Sequence, residues 1–255
     1  MITFALTRQL SAATLAALLA LSASPALAAC KDQPGPGVDW SECQKSRLMF
    51  GSADLSNGEF VETFFTSSDL SKAKLAGANL SLAELSNASF AGADLTDANL
   101  EKAVATRVSF AGANLSGASL MAAEFSRSSF ERAVLTGVDF TNSEMNRSNF
   151  TEADLTGAAM AKAELARIVL TGAVVAGVSF TYSNLSRADL RGLDLEDADL
   201  TGSYMFLTQI GGANLSGTKG LTQGQIDIAC GTSDTQLPTG LAAPPSWPCP
   251  DYAEE

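Results

Sequence analysis

Every fifth residue from Phe50 to Leu215 is Leu, Phe, Met, Val or Ile, with Ala105 the one exception. The residue two places earlier is as restricted: Ala73, Ala78, Ala83, Ala88, Ala93, Ala98 and Ala103 follow in succession, and Ala, Ser, Thr or Val stand at most other such places. Asp, Asn, Ser, Thr, Glu and Gly fill the rest, so the consensus reads A-D/N-L-S/T-G and keeps its register from about residue 38 to residue 215. A five-residue apolar period fits neither the α-helix nor the strand, and so short a unit cannot bury a core by itself. Neighbouring units must stack, which makes the array one elongated solenoid. Aromatic content of 7% suits a narrow core of Leu and Ala.

The pentads carry a longer period. Taken every twenty residues, one set of central positions reads Leu55, Leu75, Leu95, Leu115, Leu135, Leu155, Val175, Leu195 and Leu215. Another reads Phe50, Leu70, Phe90, Phe110, Phe130, Phe150, Leu170, Leu190 and Ile210. A coil of four pentads produces this sorting, because residues twenty apart lie directly above one another and like side chains pack into columns.

An array of this kind resembles the pentapeptide-repeat family. The resemblance covers residues 38 to 215 and implies an all-β fold, a right-handed quadrilateral β-helix with one pentad to a side and with the central residue and the one two before it pointing inward. At about 4.8 Å between stacked strands, the array would form about 8–9 coils in a rod about 40 Å long. Some members of the family resemble duplex DNA in size and negative charge and inhibit DNA gyrase, giving quinolone resistance. That is one function the resemblance implies.

The expected organisation is a signal peptide over 1–28, an N-terminal cap over 29–47, the β-helix over 48–217, and a C-terminal cap helix with a disulfide-tied tail over 218–255. The first segment has one charge, Arg8, an apolar run to Leu21 and small residues before Cys30, the pattern of a secretory signal. Cleavage after Ala28 would leave a periplasmic or secreted protein with no transmembrane segment. Leu27-Ala28-Ala29-Cys30 also resembles a lipobox, with Cys30 as a lipid anchor. The four cysteines flank the array, two at each end. The ends of such a rod lie too far apart to bridge, so the expected disulfides are Cys30–Cys43 and Cys230–Cys249, stapling the two ends. Trp40 keeps the register as a large central residue of the first cap. Thr222 and Gln225 read as a capping box, with Leu221 and Ile226 as a hydrophobic staple, opening a short helix to about Ala229. The Pro- and Gly-rich tail beyond reads as irregular.

Outside the core, one column stands apart: Arg107, Arg127, Arg147, Arg167 and Arg187, with Arg47 three coils earlier. Three residues before it runs a column with Glu84, Glu124, Glu144 and Glu164. Two readings are open, a solvated ladder of ion pairs that fixes coil register and a basic stripe that engages an anionic polymer or a carboxylate-bearing partner. Asp54, Asp94, Asp154 and Asp194 form an acidic column, unsurprising at a net charge of −12. Val104, Val134, Val169 and Val174, with Tyr204 and Phe206, are outward apolar residues suited to self-association as a homodimer.

The chain has no histidine, no phosphate-binding or dinucleotide loop and no nucleophile elbow, and its cysteines lack zinc spacing. No catalytic residue, cofactor or metal is expected. The expected function is that of a non-enzymatic exported scaffold of the bacterial cell envelope, binding an unknown protein or anionic envelope component through outward columns. The alternatives are gyrase mimicry, which export and the Arg column disfavour along with nucleic acid as a partner, and a lipid-anchored envelope protein.

Overall fold

The computed structural model describes residues 30–249; the leader expected over residues 1–28 lies outside the described residues. In each pentad the chain runs straight through a small, a polar and an apolar residue, then turns through the next two. The amide of the following small residue donates to the apolar residue's carbonyl, as Ala53 N does to Phe50 O at 2.9 Å and Ala78 N to Leu75 O at 3.0 Å. The third residue of this turn has positive φ through most of the array, 65° at Gly77 and 57° at Asn87, as a type II turn requires. Glycine adopts that conformation without a Cβ penalty, which explains the last letter of the consensus.

The other polar letters have their own cause. The Asp or Asn before the apolar residue accepts the amide two residues on. Asp154 takes Thr156 N at 3.0 Å and Thr156 Oγ1 at 2.6 Å, and Asn114 takes Ser116 N and Oγ at 3.1 and 2.7 Å. Such Asx turns pin each corner. The Thr156 hydroxyl and amide, with smaller help from Thr136, hold the Asp154 carboxyl below the usual carboxylate range.

Stacking follows the twenty-residue period. Parallel bridges pair residues twenty apart, such as Glu59 with Asn79, Phe64 with Glu84, Asp69 with Ser89 and Lys74 with Asp94. These four columns, one to a side, give the solenoid its quadrilateral section. Each coil binds the next through two-way amide bonds, Leu75 N to Asp94 O at 2.6 Å and Asp94 N to Ala73 O at 3.0 Å. The core is the sorted set of central residues, essentially all of them fully buried. Phe90, Phe110, Phe130 and Phe150 lie ring on ring, with centroids 5.0, 5.1 and 4.9 Å apart and planes within 17°, so the coil rise is about 5 Å. Beside the undersized Ala105, Phe125 is buried and meets Phe110 edge-on at 5.7 Å.

One side of the stack opens once. The bridging column that runs from Asp54 through Lys74, Asp94, Asn114, Val134 and Asp154 to Val174 resumes at Asp194 with Asn214, but Val174 and Asp194 do not bridge. Among the described residues no hydrogen bond joins Val175 N to Asp194 O, Gly177 N to Glu196 O or Asp194 N to Ala173 O, although the equivalents one coil earlier measure 2.8, 2.8 and 2.9 Å. The cause lies in the inward small position. Ala53, Ala73, Ala93, Ala113, Ala133, Ala153, Ala173 and Ala213 fill that column, and Leu193 interrupts it. Val175, the one Val in the neighbouring Leu column, gives back only part of the added volume. The coils separate instead, leaving a cleft of about 250 Å³ lined by Val174, Ala176, Asp194, Glu196 and Asp197.

Both ends are capped. Trp40 is fully buried, 5.1 Å from the Phe50 ring and 5.7 Å from that of Phe60. Lys45 occupies a central position that is apolar in nearly every other pentad; its Nζ lies 3.7 Å above the Trp40 ring and donates to Cys30 O at 2.8 Å. Burial pushes the Lys45 ammonium pKa down. The Cys30–Cys43 disulfide closes this end with Cα atoms 5.5 Å apart, and Cys230–Cys249 closes the other at 5.4 Å. Helix α1 spans Gln223–Ile228, with Thr222 as N-cap. Gln225 Oε1 accepts from Thr222 N and Oγ1 at 2.9 and 2.8 Å, forming the expected capping box. Gln225 Nε2 donates to Leu200 O and Ser203 O, covering carbonyls of the last coil. The tail is more regular than expected: Cys230 bridges Gln209 and Gln236 bridges Asn214, because those strand edges would otherwise stand open. The Trp247 indole covers Gly231, where a Cβ would fall 2.3 Å from the ring, and donates to Ala229 O at 2.7 Å.

Candidate interaction surface

Side chains can leave the rod only from the middle of a side or from a corner. Glu84, Val104, Glu124, Glu144, Glu164, Asn184 and Tyr204 bridge in sequence along the middle of one side. The corner after that side carries, coil for coil, Arg107, Arg127, Arg147, Arg167, Arg187 and then Leu207. Between the two columns run small residues, Thr106, Ser126, Asn146, Ala166 and Ser186, ending in Phe206. The arginines are exposed except Arg167, which is half-buried.

The guanidiniums therefore rise one per coil, about 5 Å apart on the scale of the phenylalanine stack. Among the described residues no ion pair joins them to the glutamate column; the ion pairs present are Lys74–Asp54, Arg132–Glu131 and Arg191–Asp189. Of the two readings open to the sequence, the intrachain ladder is not formed. The three-residue step puts each carboxylate on the flat of a side and its arginine beyond the corner. Coil register is held instead by the amide bridges and the stacked core. Glu164 accepts from Asn184 Nδ2 at 2.8 Å, whereas among the described residues the carboxylates of Glu124 and Glu144 have neither a hydrogen bond nor an ion pair.

Each arginine of the column has φ between 56° and 61°, the left-handed region that costs a non-glycine residue on the order of 1 kcal/mol. The conformation belongs to this turn position through most of the array: one other corner carries the run Gly117, Gly137, Gly157 and Gly177, while another carries Glu62, Leu82, Lys102, Ala122, Asn142 and Lys162. Five like charges thus stand along one corner with no ion pair to any of them among the described residues.

The apolar residues expected as one patch fall on three sides. Val134 and Val174 share the side opposite the glutamates, Val169 lies on the side after the arginine corner, and Val104 lies among the glutamates. Only Tyr204 and Phe206 meet, their rings stacked 6.3 Å apart with planes 11° from parallel, and they are 53% and 41% exposed. They sit at the end of the glutamate–arginine strip. In the sequence these aromatics and the arginine column are separate features; the coil geometry makes them continuous.

Among the described residues no group of three or more His, Cys, Asp or Glu side chains is placed to hold a metal ion, and no helix is long and apolar enough to cross a membrane. The cleft at Asp194 and a second depression around Trp247 and Pro248 hold no nucleophile–base pair.

Comparison with known proteins agrees with the geometry. The family profile described as "Pentapeptide repeat region" matches residues 83–152 and 103–172, and that described as "Pentapeptide repeats (8 copies)" matches residues 50–87, 169–205 and 183–219. No curated protein sequence matches the chain. Among solved structures, it is similar to HetL, a pentapeptide repeat protein involved in heterocyst differentiation regulation from the cyanobacterium Nostoc sp. strain PCC 7120, at 27% identity over 72% of this chain and 83% of that one, with a TM-score of 0.39. It is similar to QnrB1, a plasmid-mediated fluoroquinolone resistance protein, at 17% identity over 78% and 89% with a TM-score of 0.42. A thylakoid-lumen pentapeptide repeat protein of Arabidopsis thaliana matches at 26% identity over 42% and 68%, with a TM-score of 0.24. With two profiles of one family together spanning residues 50–219 and four bridged sides in twenty-residue register, the chain belongs to the pentapeptide-repeat family.

Proposed function

We propose that this chain is a non-enzymatic, exported interaction scaffold of the cell envelope: a rigid rod of eight to nine coils whose arginine corner engages a carboxylate-bearing protein surface. One observation carries the reading, the column of five arginines stacked along one corner with no ion pair to any of them among the described residues. Guanidinium forks suit carboxylates, and a rigid rod presents them at fixed spacing with no backbone ordering on binding, which leaves only the side chains to be fixed. Export is supported by the leader pattern of residues 1–28 and by two disulfides, which persist in oxidising compartments. Pairing of Cys30 with Cys43 leaves no thiol there for a lipid, which favours a periplasmic or secreted protein over an anchored one.

The test is retention of the 30–255 chain on a carboxylate matrix at low load. The wild type is retained and eluted by salt, since exposed charge interactions are screened. Arg127→Ala with Arg147→Ala abolishes that retention; unchanged retention in a folded variant overturns the reading.

A further inference from the structure

We infer that the carboxylate-bearing partner of this strip is a second copy of the chain, docked side by side and parallel about a two-fold axis that runs along the rods outside the column of small residues. The inference rests on the reading of the arginine corner as an interaction surface and names its occupant.

Symmetry selects the arrangement. The strip has three columns, glutamate, small and arginine, at a common rise. A two-fold axis parallel to the rod and centred on the small column exchanges left for right and keeps height. It therefore lays the glutamate column of each copy over the arginine column of the other, coil for coil. The coils of Glu124 with Arg127, Glu144 with Arg147 and Glu164 with Arg167 each contribute two intermolecular ion pairs. An antiparallel arrangement, with its axis across the rods, sets glutamate on glutamate and arginine on arginine, and like charges reject it. Ser126 and Ala166 on the axis let the backbones approach.

The end of the strip fixes the register. Sliding one rod by a whole coil keeps opposite charges in contact, because the rise is uniform. Only the unshifted register brings the exposed Phe206 of each copy onto the other, with Tyr204 and the half-buried Leu207 in the places that glutamate and arginine hold elsewhere. An extended polyanion accounts for less: it would meet the glutamate column beside the arginines, a chain of net charge −12 and an aromatic end for which it has no use. The surface is narrow, at the small end of stable interfaces, so dissociation in the micromolar range is expected.

The experiment is sedimentation equilibrium of the 30–255 chain from about 1 to 200 μM at low salt, on the wild type and two charge-reversal variants. The first carries Arg127→Glu, Arg147→Glu and Arg167→Glu; the second carries Glu124→Arg, Glu144→Arg and Glu164→Arg. The wild type is expected to form a dimer that weakens at least about tenfold from 50 to 500 mM salt. Each variant alone is monomeric, and a mixture of the two restores a 1:1 dimer, which excludes misfolding as the cause. Ala166→Cys, lying on the axis, is expected to cross-link copy to copy under mild oxidation. A monomeric wild type, or a mixture that stays monomeric, overturns the second copy. If it falls while Arg127→Ala with Arg147→Ala still abolishes carboxylate retention, the arginine corner serves another protein; if that retention is also unchanged, the parent reading falls with it.

Discussion

Leu193→Ala tests whether one oversized side chain opens the stack. The substitution removes three carbons from a side chain that is 4% exposed. At about 0.8 kcal/mol per buried carbon, the lost burial costs about 2.5 kcal/mol. It also restores the alanine that holds every other place in the column, so the coils can close and recover the three missing amide bonds of Val175, Gly177 and Asp194. At about 1 kcal/mol net each, these return about 3 kcal/mol. The two contributions nearly cancel, and the expected change in unfolding free energy is within about 1 kcal/mol of zero. Leu195→Ala, two residues away with its amide already bonded to Asn214 O at 2.8 Å, recovers nothing and should cost about 3–4 kcal/mol. Urea denaturation gives both values, and amide exchange gives the mechanism. In the wild type Val175, Gly177 and Asp194 should exchange at least about tenfold faster than Leu155, Gly157 and Val174 one coil earlier, and Leu193→Ala should slow them to match. If those amides stay fast and stability falls as far as in Leu195→Ala, Leu193 is not the wedge.

Other expectations follow from the same geometry. Phe130→Ala leaves a void in the middle of the ring stack and should cost about 3–5 kcal/mol, read as a lower urea midpoint. Removing the Cys230–Cys249 bridge by a double Cys→Ala change should cost about 3 kcal/mol, seen in thermal unfolding. Asp154 is held below its usual pKa, so the stability it contributes is present above the unfolded carboxylate value and is lost as pH falls through the depressed one; Asp154→Asn should lower stability at neutral pH, converge with the wild type in acid, and so flatten that part of the acid-unfolding curve. Arg127→Gly, which relaxes a left-handed residue, should leave stability within about 1 kcal/mol of the wild type; a loss of 3 kcal/mol or more would give the arginine a structural task.

How far the sequence could be read depended on whether a feature was periodic. The inward set, its sorting into Leu and Phe columns, both disulfides, the Trp40 end and the Thr222 capping box were all legible, because an apolar period of five and a stacking period of twenty leave few alternatives. Lys45 was not: a lysine in a central position breaks the pattern, and only the Trp40 ring beneath it and the Cys30 carbonyl beside it explain how its charge is accommodated. Leu193 was hidden for the opposite reason, since an apolar residue at an inward position looks ordinary until its column is seen to be alanine. The arginine column was visible, but its lack of intrachain partners depends on where a corner aims its side chains. The tail strands at Cys230 and Gln236 carried no repeat signal, being recruited by the open edges of the last coil.

The central claim is that the strip between the glutamate and arginine columns is the working surface. The most direct measurement is photo-crosslinking in native cells, with a photoreactive residue placed at Ala166 on the strip and, for comparison, at Thr156 on the opposite side of the rod. The account predicts a discrete adduct from position 166 that disappears when Arg127, Arg147 and Arg167 are changed to Gly, and none from position 156. Equal adducts from both positions, or an adduct from position 156 alone, would contradict it.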